Sequence, residues 1–376
     1  MKSRRAYLWS VLIVLLLSIQ SLKSLPWGPH WGLDFQNLHA FHHGCRSPMD
    51  PYIRSGLVCG DELGRDLYYP PVMYWSFFWT RWLSFQAAYT FWCGFMLAVL
   101  AFSFRTWARP TRESPWLWAI GLLMLFQYPT VFALERGNND VWVLLFWSLA
   151  YLAFQSGRNI RSGAWTSLAA LSKVYPIFAA IVVLAGCLRP RDHKSRKLIL
   201  GFALATGAAL LATLPSTMSY LTLSLPRFSQ TRNAPGLANH AVIPFFSHDH
   251  EWIGYLLAAT PLALWISLSL RAQRRDPALV FAGALALTTY FSGVSEDYNL
   301  LTTYPLLFLL AARALREPLS AGFYKPLSFA GFLAVMGHRQ IFVGTSVFFQ
   351  LAWLAVVALA THGRLNATSP KVFQKE

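Results

Sequence analysis

Charge is scarce in this chain of 376 residues: Asp, Glu, Lys and Arg make up 13%, with 16 acids against 32 bases. A soluble protein of this size needs far more charge to clothe its surface, so a soluble enzyme is excluded. Cysteine is scarce too. Only four are present, and Cys93 and Cys187 lie in apolar runs, which excludes the disulfide framework of a small secreted scaffold. No Cys/His spacing suits a metal ion, and there is no phosphate-binding lysine loop, dinucleotide fingerprint or internal repeat. What fills the chain instead is apolar: 55% hydrophobic residues and a mean hydropathy of +0.39, with 16 Trp, 15 Tyr and 28 Phe. Apolar runs recur from Tyr7 to Ala360, each near the roughly 17 to 25 residues that cross a bilayer as helix. The pattern predicts an all-α polytopic membrane protein, residues 1–376 forming a single integral membrane domain.

The net charge of +16 invites a nucleic-acid reading. Its distribution argues against one. The predicted spans are 6–22, 85–104, 115–132, 140–155, 198–214, 252–270, 277–294, 300–312, 320–336 and 341–360. Met1-Lys2-Ser3-Arg4-Arg5 reads as the cytoplasmic flank of an uncleaved first helix, since no small-residue cleavage site follows. The apolar stretch 163–188 is interrupted by Lys173-Val174-Tyr175-Pro176 and reads as a re-entrant hairpin. This gives about ten full spans plus the hairpin. The cytoplasmic segments then hold 21 Lys and Arg against 5 acids, and the outer segments 8 against 11. That is the positive-inside asymmetry of ordinary membrane topology. With no phosphate-tracking surface or readout element in view, nucleic acid is excluded as a partner.

Two outer segments exceed simple turns, 23–69 and 215–250, and both are rich in Gly, Pro, His and aromatic residues. Cys45 and Cys59 share the first of them. A bridge between them would close a loop of about 15 residues and add roughly 3 kcal/mol.

Polar residues that are costly beside lipid form islands along the chain, the pattern of a site lining a cavity. Asp34 follows the first span in "WGLDFQNLHAFHHG". It reads either as a general base for a hydroxyl nucleophile or as a helix cap. His39, His42 and His43 are reserve candidates for acceptor binding or proton handling, or ordinary interfacial polar groups. In Glu135-Arg136-Gly137-Asn138-Asn139-Asp140, the Asn and Asp residues suit a helix N-cap, whereas an arginine fork suits a pair of phosphate oxygens. Lys173, with Tyr175 beside it, either reaches a lipid phosphate or snorkels to an interface. Glu296, Asp297 and Tyr298 form a polar turn between two spans. Arg81 sits in the aromatic run that follows Pro70-Pro71.

These motifs resemble the GT-C membrane glycosyltransferases, and among them bacterial glycosyltransferase family 87, which uses polyprenyl-phosphate-mannose. The likeness rests on Asp34 just after the first span, "DLYYPP" (66–71), "ERGNND" (135–140) and "SKVYP" (172–176). The last two are also similar to motifs of the first mannosyltransferase of GPI-anchor synthesis. A single Asp34 stands where several GT-C families carry an acidic pair, so the resemblance implies a one-base mechanism and no cofactor, with a weaker case for a bound metal and dependence on a divalent metal left open. It implies a GT-C-like architecture in a bacterial plasma membrane, with the site facing the outer side. The implied reaction moves a mannosyl or other hexosyl unit from a polyprenyl-phosphate donor to a lipid or glycan hydroxyl, inverting the anomeric carbon. Asp34 would act as base, with Arg136, Lys173 and Tyr175 at the donor phosphate. Glu135, Asn138, Asn139 and Asp140 would line the site. A lipid-phosphate sugar transporter or another lipid-directed transferase is the alternative reading of the same groups.

Overall fold

The computed structural model describes residues 31–44, 69–109, 115–187, 193–224, 276–291 and 297–316, together with the isolated positions 263, 267 and 328. The expected spans 6–22, 252–270, 320–336 and 341–360 lie outside the described residues, apart from those isolated positions. So do Cys45, Cys59, Glu296 and most of the segments 23–69 and 215–250. Among the described residues every regular element is helical. In chain order these are α1 (Leu33–Gly44), α2 (Pro71–Ser76), a 3-10 turn (Phe78–Trp82), α3 (Phe85–Trp107), α4 (Pro115–Leu125) and α5 (Tyr128–Arg136). Then come α6 (Asp140–Gln155), α7 (Asn159–Ser172), α8 (Pro176–Cys187), α9 (His193–Ala212) and α10 (Leu214–Ser219). A π-turn (Tyr220–Ser224), α11 (Pro277–Phe291), a 3-10 segment (Asp297–Thr303) and α12 (Tyr304–Arg316) complete them.

Two described helices, Phe85–Trp107 and His193–Ala212, are long and apolar enough to cross a membrane. A third span is formed if the bent pair Trp118–Leu125 and Pro129–Arg136 is one crossing. The sequence reads 115–132 as one span. Within it the chain breaks at Phe126 and Gln127 and turns by 46°. Pro129 explains the break: it fits the first turn of α5, where a missing N–H is harmless, and it cannot continue α4.

Hydrogen bonds and close packing give the helices their directions. Trp92 Nε1 donates to Gly137 O at 3.1 Å near the start of α6, and Trp107 Nε1 donates to Ser148 Oγ at 3.0 Å farther along it. α3 and α6 therefore run parallel. At Gly157 the chain takes a left-handed turn, φ 70°, into α7, and Ser162 Oγ donates back to Ala150 O. A Cβ added to Gly163 would sit 1.9 Å from Leu198 O, and one added to Gly201 would sit 2.0 Å from Ile160 O. Farther along, the Ser167 and Thr206 hydroxyls are 2.8 Å apart. α7 and α9 thus run side by side in the same direction at a separation only glycine allows. α8, which connects them, must run back the other way.

Trp147 Nε1 donates to Phe281 O at 2.8 Å, joining α11 to α6. Asp276 accepts from Arg313 at 2.7 Å and joins the start of α11 to the end of α12. One end of the bundle consequently collects Arg105, Arg109, Arg158, Arg161, Lys194, Arg196, Lys197, Arg313 and Arg316. The other end collects α1, α2, α5 and the breaks at 137–139 and 173–175. Tyr304 and Thr130, 2.8 Å apart, fix the 297–303 segment there as well.

Candidate active site

α1 is short and irregularly amphipathic, so it is held by contacts to other elements. Tyr74 donates to Asn37 Oδ1 at 2.9 Å, and His42 Nε2 lies 2.8 Å from Tyr74 O. His39 Nε2 lies 3.3 Å from Leu83 O, with its ring edge-on to Phe85. Two of the three histidines read from sequence as acceptor or proton-handling candidates thus fasten α1 to the carbonyls of the 74–83 segment. The side chain of His43 lies outside the described set, as do those of Asp297 and Tyr298.

The start of α1 is spliced to the end of α5. Gly32, in the left-handed region at φ 74°, donates its N–H to Glu135 O at 2.6 Å. Tyr89 of α3 donates to Leu134 O and Glu135 O, 2.6 and 3.0 Å away. α5 ends at Gly137, φ 66°, whose own N–H and that of Asn138 close the last turn on Leu134 O and Ala133 O. A Cβ at Gly137 would come within 2.6 Å of Phe35 Cβ. α1 can therefore lie close enough for Asp34 to meet the residues beyond that turn.

Asp34 is 1% exposed. Its Oδ1 accepts from Arg136 at 2.8 Å and its Oδ2 from Asn138 Nδ2 at 3.1 Å. Asn138 Oδ1 in turn accepts the backbone N–H of Asp140 at 2.8 Å and lies 3.5 Å from Lys173 Nζ. Lys173 pairs with Asp140 Oδ1 at 2.6 Å, and the Tyr175 hydroxyl donates to the same oxygen. The result is one continuous chain: Arg136, Asp34, Asn138, Lys173, Asp140, Tyr175. Two carboxylates balance two cations, which is what keeps such burial affordable.

The chain is not equally enclosed. The Arg136 side chain retains 24% of its exposure and packs 5.9 Å over the Phe132 ring. Lys173 is nearly buried between the faces of Tyr69 and Tyr175, 5.7 and 5.8 Å from their centres. Glu135 is buried, with its backbone carbonyl engaged by Gly32 and Tyr89. Arg81 is exposed on its 3-10 turn.

The structure therefore brings together Asp34, Arg136, Asn138, Asp140, Lys173 and Tyr175. The sequence places Asp140 at a helix start and in the lining of the site, but does not pair it with Lys173. Tyr89 and Trp92 were passed over as span residues. Their signal was the i, i+4, i+7 aromatic stripe Phe85, Tyr89, Trp92 on α3. Among the described residues, no three His, Cys, Asp or Glu side chains come together as a metal site.

A family model for glycosyltransferase family 87 matches residues 67–294. That segment includes Tyr69, the 135–140 turn and the 173–175 break, whereas Asp34 lies outside it and joins them through space. No curated protein and no solved structure matches the chain.

Proposed function

The chain belongs to glycosyltransferase family 87, and from that premise we propose that it transfers a hexosyl unit from a polyprenyl-phosphate donor to a lipid or glycan hydroxyl. Mannose is the sugar favoured by the motif resemblance. The site lies on the outer face of a bacterial plasma membrane, because the bundle end opposite Asp34 carries the basic residues that face the cytoplasm in ordinary topology. The donor is a lipid and the network is built beside apolar helices, so donor and site meet at the membrane surface.

The observation that carries this reading is the ion pair between a buried carboxylate and a partly open guanidinium. Asp34 is the base and Arg136 the phosphate fork, and in the ligand-free protein each occupies the other. When the donor arrives, its phosphate oxygens replace the carboxylate on Arg136, as a charged bidentate acceptor does well. Asp34 Oδ1 is then released to face the acceptor hydroxyl.

The acceptor oxygen attacks the anomeric carbon while its proton passes to Asp34. The bond from that carbon to the phosphate oxygen breaks, and its electron pair stays on the phosphate. Arg136, with the charge of Lys173 behind it, stabilises the charge that develops there, and Tyr175 holds Asp140 in place beside Lys173. The products are the new glycoside, polyprenyl phosphate and protonated Asp34. Direct displacement inverts the anomeric carbon, so a β-linked donor gives an α-glycoside. Lys173 stays buried because Asp140 balances it; its contribution is a fixed positive field more than a mobile contact.

The experiment is transfer of label from polyprenyl-phosphate hexoses by the purified protein in vesicles, with identification of the product. A transporter would move the labelled donor between leaflets and form no glycoside.

A further inference from the structure

Asn139 is fully buried, yet neither its Oδ1 nor its Nδ2 has a hydrogen-bond partner. Buried amides are almost always satisfied, and one left with both ends empty opposes folding. Capping does not account for it. Asn139 occupies the N-cap position of α6, where asparagine ordinarily accepts a backbone N–H, but its side chain makes no such bond. The N–H of Asp140 goes instead to Asn138 Oδ1. A second orphan lies in the same first turn: the indole N–H of Trp142 is buried and unpartnered. The Trp142 ring itself packs against Trp92, Phe95 and Phe146. The chain neighbours of Asn139 on both sides, Asn138 and Asp140, belong to the ionic network.

We propose that Asn139 is a specificity-determining residue that receives a hydroxyl of the transferred sugar. This rests on the glycosyl-transfer reading above. A sugar hydroxyl donates and accepts at once, which matches an amide offering N–H donors and a carbonyl acceptor. A phosphate has only acceptor oxygens and would leave Oδ1 unmet, and a prenyl chain has nothing to offer either atom. The sugar is attached to the phosphate held by Arg136, and so it comes to rest beside the 137–140 turn. Without donor, the amide is buried, and the adjacent Asn138 is tied to Asp34 and Lys173. Exchange of the phosphate for Asp34 on Arg136 loosens the first of these and opens the turn to the sugar. Asn139 thus stays unpaired in the resting protein because its partner arrives with the substrate.

The test uses the full-length protein in vesicles, a polyprenyl-phosphate hexose, and the set of donors lacking one sugar hydroxyl each. Wild type is compared with Asn139→Ala and with Asn139→Leu, which keeps most of the volume. Removing an unsatisfied buried amide leaves both variants folded. For the parent donor, kcat/KM falls by about 10-fold or more in each, the loss of one hydrogen bond to a buried group. One particular deoxy donor suffers a similar loss with wild type and no further loss with Asn139→Ala. Wild-type kcat/KM in the folded variants overturns the inference, as does the full separate penalty for every deoxy donor. If one variant fails to fold, the other and the wild-type deoxy profile decide by the same criteria. Transfer that ignores Asn139 overturns this inference alone. An absence of transfer by wild type from any such donor overturns the activity reading and this inference with it.

Discussion

Asp34 and Arg136 are 102 positions apart in the chain, and the guanidinium donates to the carboxylate at 2.8 Å. The pair joins the first turn of α1 to the last turn of α5. Each end favours its charge, since a helix N-terminus stabilises an anion and a C-terminus a cation. A carboxylate so placed is held in position but is also occupied. A base that must accept a proton therefore needs its partner to be drawn away first, and a lipid phosphate is suited to do that.

Arg136→Lys retains the charge and loses the fork. We expect transfer to fall by about 10-fold or more, because the two cations are not interchangeable at a bidentate contact. The yield of folded protein should be unchanged. Donor binding and single-turnover transfer are the measurements. Wild-type values for both would remove Arg136 from the phosphate site.

Lys173→Met leaves the buried Asp140 without its 2.6 Å partner. Breaking one side of a buried ion pair costs about 3–5 kcal/mol. The variant should unfold at a clearly lower temperature in detergent, and Lys173→Met with Asp140→Asn should recover much of the loss. A double variant no more stable than the single one would contradict the unpaired Asp140 charge as the source of the loss.

Much of this arrangement is legible in the sequence. The start of α6 at Asp140, the break at 173–175 and the basic skew all follow from local chemistry, because Asn, Pro and Lys act within one turn of where they stand. The pairing of Asp34 with Arg136 does not. It depends on two glycines, Gly32 and Gly137, whose left-handed turns let α1 approach, and nothing local indicates which surface each turn will meet. The anchoring of His39 and His42 is illegible for a related reason. A His-rich helix suggests proton chemistry, but a half-buried imidazole is equally served by a backbone carbonyl, and the carbonyls of Tyr74 and Leu83 cannot be placed from sequence alone.

Gly163→Ala should separate α7 from α9, since the added carbon meets the Leu198 carbonyl, which is backbone and cannot swing aside. Overpacking of this kind costs about 1–3 kcal/mol. Thermal unfolding checks it, and an unchanged midpoint would contradict the close parallel contact.

Reporter fusions test the topology proposed for the chain. Because α7 and α9 run parallel with α8 returning between them, fusions after Arg191 and Arg274 should both report the cytoplasm. A fusion near Asn233 should report the outside. An outer position for Arg191 would contradict the placing of the basic bundle end in the cytoplasm.

The measurement that bears most directly on the account compares wild type with Asp34→Asn, reconstituted in vesicles with a labelled polyprenyl-phosphate hexose and a hydroxyl acceptor. The side chain keeps its shape and loses the basic oxygen. Wild type should form a glycoside of inverted configuration, and Asp34→Asn should bind donor yet turn over about 100-fold more slowly or worse. Near-normal transfer by Asp34→Asn, or a wild-type product of retained configuration, would contradict the proposed chemistry.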